Sequence, residues 1–325
     1  MSLGIPGVDS EFAAKIESGL VEVETLLASH IKGDYPLVVE TSRHLVEAGG
    51  KRFRPMLALI ASHFGQGQNR KVIEAAVVCE LTHVATLYHD DVMDEAPLRR
   101  GVTSANAKWG NTVAILTGDY LFSKASDLLA DLGPEAVRLQ AKTFERLVIG
   151  QIEETQGATA DPLQHYLRVV AEKTGSLIAT SARFGALFGG APKDAVEILT
   201  KFGEKIGIAF QLADDVIDIA SDATQSGKTP GTDLKEGVPT LVTIQILNST
   251  DPVDKALREK LAAPIPEAEI SAVIKELRAH RALAEAKSYL HNLANESKAM
   301  LVELPDNLAR QTLERLCDAI VDRTV

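Results

Sequence analysis

Apolar residues recur at three- and four-residue spacing along nearly the whole chain, a period that restricts it to helices. Between residues 9 and 31, Phe12, Ile16, Leu20, Val23, Leu26 and Leu27 form one such stripe, as on a helix with one buried face. Asp9 or Ser10 is placed to cap it. The same reading predicts helices over 35–48, 54–65, 70–95, 111–131, 134–156, 163–188, 192–220, 239–248, 266–302 and 305–323. Between them stand Gly49-Gly50, residues 65–69, Gly110-Asn111, Gly133-Pro134, Asp161-Pro162, residues 189–192 and residues 264–266, all rich in helix-breaking residues. Strand-like alternation is weak, no low-complexity linker divides the chain, and no short repeat is visible. The expectation is an all-α fold in a single domain over residues 1–325.

One feature is duplicated. Asp90-Asp91-Val92-Met93-Asp94 ends one long helical pattern, and Asp214-Asp215-Val216-Ile217-Asp218 lies near the end of another. First and fifth residues four apart share a helix face. Three carboxylates within a turn repel one another, and the residues before them are apolar: Leu87 and Tyr88, then Phe210 and Leu212. Ionised carboxylates on a mostly buried helix need a cation. Hard oxygen donors suit Mg²⁺, which keeps open positions for substrate phosphates. One such cluster reads equally as a solvated helix end; two copies of the same pattern favour the metal.

The net charge of -11 argues against a nucleic-acid or anionic-membrane partner, since both require a basic footprint. Anionic substrates would therefore need metal ions or local clusters of cations. Such clusters exist: Arg99-Arg100 follow the first acidic motif, and Gly49-Gly50-Lys51-Arg52-Phe53-Arg54-Pro55 is a glycine turn with three cations at the start of a helix, suited to a phosphate cradle. Taken alone, that segment reads as a solvated loop. Two cysteines, Cys79 and Cys317, in apolar helical patterns imply no disulfide framework and a reducing compartment. Neither a secretory leader nor an apolar run of about 18 residues is expected, which makes the cytoplasm the expected location.

Taken in order, these motifs resemble a trans-type polyprenyl diphosphate synthase of the isoprenoid synthase family. The similarity runs through the Gly49–Pro55 segment, the first D-D-x-x-D, Arg99-Arg100-Gly101, Lys173-Thr174-Gly175, Phe210-Gln211-Leu212-Ala213 with the second D-D-x-x-D, and Gly227-Lys228 to Thr240-Leu241. It implies a bundle of antiparallel helices around a deep central cavity, three Mg²⁺ ions per active site, and a homodimer that touches membranes only transiently to release product. The substrates would be isopentenyl diphosphate and an allylic prenyl diphosphate. By the same resemblance Asp90, Asp94 and Asp214 are direct metal ligands, with Asp91, Asp215 and Asp218 in support. Lys51, Arg54, His83 and Arg100 would hold isopentenyl diphosphate; Arg99, Lys173 and Lys228 the allylic diphosphate. Thr174 and Gln211 would set oxygens near the developing cation, and the released pyrophosphate would take the proton. His83 on its own reads as a core histidine, and Lys173 as the partner of Glu172. Val238 stands where the family commonly has lysine, with Lys235 a candidate substitute. Ser221 to Gly237 is a candidate lid.

Both intact acidic motifs argue against a non-catalytic partner subunit, and the basic segments argue against a terpene cyclase. Product length is open to a positional argument. With the diphosphate end pinned at Asp90, the growing tail would run back along the same helix past Thr86, Ala85, Thr82 and Cys79. None is bulky, whereas a bulky residue at the fourth or fifth place before the first aspartate stops elongation early in the family. A product longer than geranylgeranyl diphosphate is expected, with farnesyl or geranylgeranyl synthesis the alternative.

Overall fold

The Asp9 carboxylate accepts from the backbone N–H of Phe12 at 2.9 Å and starts helix α1 (Ser10–His30) where the apolar stripe begins. In the computed structural model, which describes residues 3–158, 160–220 and 231–323, the pattern continues through α2 (Pro36–Glu47), α3 (Phe53–Ser62) and α4 (Arg70–Met93). A two-residue antiparallel pair, β1 (Leu98–Arg99) and β2 (Val102–Thr103), precedes α5 (Ala105–Trp109), α6 (Asn111–Leu132), α7 (Pro134–Gln156) and α8 (Pro162–Val170). A π-helical turn, Ala171–Gly175, leads into α9 (Ser176–Phe188) and α10 (Lys193–Ala220). Then come α11 (Thr232–Glu236), α12 (Leu241–Leu247), α13 (Lys255–Leu261), α14 (Glu267–Ala279), α15 (Arg281–Leu301) and α16 (Leu308–Asp322). The fold class is all-α, as the periodicity requires.

The chain divides into two units that are interleaved in sequence. One comprises Met1–Phe144, Leu177–Gly203 and Leu304–Thr312; the other comprises Glu145–Ser176, Glu204–Glu303 and Leu313–Val325. In the first, α3 is buried nearly all round: Leu57, Ala58, Leu59, Ile60 and Ala61 have no exposed surface. Two glycines, Gly185 of α9 and Gly189 just after it, approach it with bare backbone. A Cβ on Gly185 would stand 2.6 Å from the Ala58 carbonyl carbon, and one on Gly189 would stand 2.6 Å from the Ser62 oxygen. Asn69 caps α4 by accepting from Val72 N–H at 3.1 Å. Tyr88, fully buried on α4, donates to the Thr41 carbonyl and accepts from Leu45 N–H at 3.3 Å, tying α2 to α4.

Two long helical expectations are interrupted. Residues 163–188 contain the π turn, and 266–302 break at His280, which is extended (φ -83°, ψ 142°). The His280 ring accepts from Ala282 N–H at 3.1 Å and meets Asp254 at 3.0 Å, so a histidine here does the work of an ordinary N-cap. Both cysteines are buried and free. Burial pushes each thiol up to about 12, which makes them inert.

Candidate active site

The first acidic cluster closes α4, with Asp94 as its C-cap. The chain then turns back through β1 and β2, joined by Arg100-Gly101. Both loop residues have positive φ (53° and 78°), the geometry of a tight hairpin turn. The hairpin aims consecutive arginines at different targets. Arg99 Nε donates to Asp91 Oδ1 at 2.5 Å, and its Nη2 lies 3.8 Å from Asp94 Oδ2. Arg100 Nη1 donates to the Leu45 carbonyl at 2.7 Å, and its Nη2 stands 3.6 Å from Glu80 Oε1.

The glycine turn before α3 meets Arg100. A Cβ on Gly50 would stand 3.1 Å from the Arg100 guanidinium carbon and 3.2 Å from Arg52 Nη1, so a side chain here would press on both cations. Arg52 itself is buried and left-handed (φ 47°), a conformation that costs of order 1 kcal/mol and needs support. The support is Glu24, Glu80 at 2.8 Å and the Val46 carbonyl at 2.9 Å. Burial pulls the Arg54 and Arg100 guanidinium pKa values down against the pull of Glu80; Arg100 adds to the fall at Arg54, and Arg52 to the fall at Arg100. Arg54 Nε is buried with no hydrogen-bond partner among the described residues. Half-buried His83 is held well below the usual imidazole range by burial and by Arg54, Arg100, Arg52 and Arg99. It is therefore neutral at pH 7 and can accept or donate a hydrogen bond beside these arginines.

The second cluster lies on the last turns of α10. Tyr166 donates to Asp215 Oδ2, Gln211 Nε2 donates to Asp215 Oδ1 at 2.9 Å, and Thr174 Oγ1 donates to Gln211 Oε1 at 3.2 Å. Burial pushes the Asp215 carboxyl up to about 6, and Asp214 and Asp218 add to the rise while the two donors oppose it. Burial, then the Asp215 charge, keeps the Tyr166 phenol protonated. Asp214 accepts from Arg323 Nη2 at 2.8 Å, and that guanidinium lies 5.4 Å from the Phe210 ring centre. Asp218 receives the backbone N–H groups of Thr232 and Asp233, each at 3.4 Å. The π turn is seated on Gly150, whose Cβ would stand 2.9 Å from Lys173 N. π turns inserted between α-helices often mark functional sites. Lys173 pairs with Glu154 at 2.6 Å rather than with Glu172, which instead binds Arg146 at 2.6 Å.

The structure thus joins Thr174, Gln211 and Asp215 by hydrogen bonds, and sets Arg52 and Arg100 on Glu80, with Arg54 and His83 within electrostatic reach of this basic group. Lys228, with the segment 221–230 of the candidate lid, lies outside the described residues. Lys235, the candidate substitute for the lysine missing at Val238, pairs with Glu267 at 2.5 Å. Glu80, Glu154, Tyr166 and Arg323 escaped sequence reasoning. A glutamate amid the apolar residues of α4 was the available signal for Glu80; the others belong to no motif.

The donor set fits Mg²⁺. Every cluster side chain is a hard carboxylate, and Asp91 Oδ2 is buried with no hydrogen-bond partner among the described residues. Among those residues no group of three His, Cys, Asp or Glu side chains is close enough to hold a metal unaided.

Comparison with known proteins agrees. The polyprenyl synthetase family model matches residues 35–277. The chain is 45% identical over 324 residues to a nonaprenyl diphosphate synthase of Mycobacterium tuberculosis, covering 98% of this chain and 97% of the relative. A crystal structure of geranylgeranyl pyrophosphate synthase from Corynebacterium glutamicum, complexed with calcium and isoprenyl diphosphate, superposes with a TM-score of 0.88 at 42% identity over 97% of this chain and 98% of that one. A decaprenyl diphosphate synthase from Rhodobacter capsulatus superposes at TM-score 0.88 and 30% identity, over 97% and 99% of the two chains. The motifs, the all-α fold and these similarities together place the chain in the polyprenyl synthetase family of prenyltransferases.

Proposed function

We propose that the whole chain, residues 1–325, acts as one Mg²⁺-dependent domain that condenses isopentenyl diphosphate with an allylic diphosphate and releases pyrophosphate. The product is a long polyprenyl diphosphate. The observation that carries this reading is the presence in one chain of two D-D-x-x-D clusters, one on α4 and one on α10, together with the separate arginine group around Gly50. A terpene cyclase needs the clusters but not the arginine group.

Asp90, Asp94 and Asp214 are the direct ligands of three Mg²⁺ ions, with Asp91, Asp215 and Asp218 in support. Bound Mg²⁺ supplies charge neutralisation to the departing diphosphate. Arg99, Lys173 and Lys228 hold the allylic diphosphate, and their cations oppose the negative charge that develops on it. Lys51, Arg54, His83 and Arg100 hold isopentenyl diphosphate. Thr174 and Gln211, locked by their mutual hydrogen bond, turn oxygens toward the allylic cation. The released pyrophosphate takes the proton that restores the double bond.

The long product is supported by the small residues of α4 and by the nonaprenyl and decaprenyl synthases among the relatives. A shorter, geranylgeranyl product is the second reading, favoured by the Corynebacterium structure. We further place the enzyme in the cytoplasm, with transient membrane contact at product release. No described helix is long and apolar enough to cross a membrane. The proposed homodimer is supported by apolar side chains left exposed on α6 (Ile115, Leu116) and α7 (Val137, Val148, Ile149, Ile152).

The test is Asp90→Ala and Asp214→Ala. Each should cut turnover by orders of magnitude, each tenfold being about 1.4 kcal/mol of barrier, while circular dichroism stays that of the wild type. Near-normal turnover of either variant at saturating Mg²⁺ would rule the metal role out.

A further inference from the structure

Glu80 has no place in the chemistry above, yet it stands at the centre of the basic group. It lies in the middle of α4, between Cys79 and Leu81, and its side chain is 2% exposed. A buried carboxylate among apolar neighbours is costly unless cations answer it. Here one oxygen answers two: Oε1 accepts from Arg52 Nη1 at 2.8 Å and stands 3.6 Å from Arg100 Nη2. Its charge also acts on Arg54. Each partner is held a second time, Arg52 by Glu24 and the Val46 carbonyl, Arg100 by the Leu45 carbonyl. Arg52 opens α3 as its N-cap, so fixing Arg52 fixes the turn that presents Lys51 and Arg54.

We propose that Glu80 is a positioning residue for the isopentenyl diphosphate subsite, aligning Arg100 directly and the Lys51–Arg54 turn through Arg52. This rests on the reading that Arg54 and Arg100 hold that substrate. Three guanidinium groups drawn together repel one another, and in the absence of an anion they would splay. Glu80 offsets that repulsion before substrate arrives, so the diphosphate meets donors already in place. Pre-organised donors gain affinity because little ordering remains to be done on binding. An ion pair that merely fastened helices would affect stability and both substrates alike.

Glu80→Gln keeps the shape and an accepting oxygen but removes the charge. On the purified full chain it should raise the Kd and KM for isopentenyl diphosphate about tenfold, equivalent to about 1.4 kcal/mol. The KM for the allylic substrate should stay within about twofold, the pattern of a lost subsite interaction rather than general damage. Glu80→Asp keeps the charge but draws it back by one methylene, and should shift the same constant in the same direction by less. If Glu80→Gln does not fold, Glu80→Asp carries the comparison. Equal shifts for both substrates, an unchanged constant, or tighter binding of isopentenyl diphosphate overturns the proposal. Arg54→Ala separates the two layers. A selective rise in the isopentenyl diphosphate KM there, with none in the Glu80 variants, sinks the positioning role alone. Equal effects of Arg54→Ala on both substrates sink the subsite assignment.

Discussion

Replacing Thr86 by phenylalanine places a ring on α4 four residues before Asp90, about 6 Å back at a rise of about 1.5 Å per residue. The proposed path of the tail runs on past Thr82 to Cys79, about 16 Å behind Asp90 by the same rise. An isoprene unit adds four carbon–carbon bonds of about 1.5 Å, or about 5 Å in zigzag projection. A floor at position 86 should therefore shorten the product by about two isoprene units or more while leaving the first condensation intact. The structure makes Thr86 a cleaner site than Ala85. Thr86 is half-buried, whereas Ala85 is fully buried and its carbonyl oxygen would lie 3.1 Å from a Cβ on Gly118 of α6. Ala85→Phe should also shorten the product, but it overpacks the contact between α4 and α6 at a cost of about 1–3 kcal/mol. The assay is mass spectrometry of the products of each variant with matched thermal melts. A folded Thr86→Phe enzyme with the wild-type product distribution would refute the path along α4.

Two further outcomes follow from burial. His83 has a folded pKa below its unfolded value of 6.5, so the unfolded chain takes up the proton first and acid favours unfolding. Its share of stability is complete above about pH 6.5 and is lost on acidification toward the folded pKa, at up to about 1.4 kcal/mol per pH unit. Urea titrations between pH 5 and 7.5 should show a shallower acid slope for His83→Gln; identical slopes would mean that His83 is not held neutral. Gly185→Ala sets a methyl group against the Ala58 backbone and should lower stability by about 1–3 kcal/mol; an unchanged urea midpoint would contradict the close approach of α3 and α9.

The helices were legible because their apolar faces repeat with the right period, and Asp9, Asn69 and Asp161 mark starts with side chains that do cap. The breaks within 163–188 and 266–302 were not. A π turn made of Ala171, Glu172, Lys173, Thr174 and Gly175 has no residue that forbids an α-helix, and its close approach to Gly150 is invisible in a linear pattern. His280 ends a helix through Asp254 and Ala282, neighbours that a linear pattern cannot pair. At the site, the acidic and basic motifs announced themselves by charge in apolar surroundings. Their supports did not: Arg52 resembled its exposed neighbour Lys51 until burial and a left-handed backbone set it apart. Tyr166 and Arg323 lie 49 and 109 residues from the aspartates they bind.

The central claim is chain elongation by the purified protein, and the most direct measurement is mass spectrometry of its products. The reaction contains Mg²⁺, isopentenyl diphosphate and, in separate tubes, dimethylallyl, geranyl, farnesyl and geranylgeranyl diphosphate. The account predicts that a polyprenyl diphosphate longer than geranylgeranyl diphosphate forms with at least one primer, with one pyrophosphate released per unit added, and only when isopentenyl diphosphate is present. A product that stops at farnesyl or geranylgeranyl diphosphate would contradict the long-chain reading. A cyclised product made without isopentenyl diphosphate, or no condensation at all, would contradict the assignment of the enzyme itself.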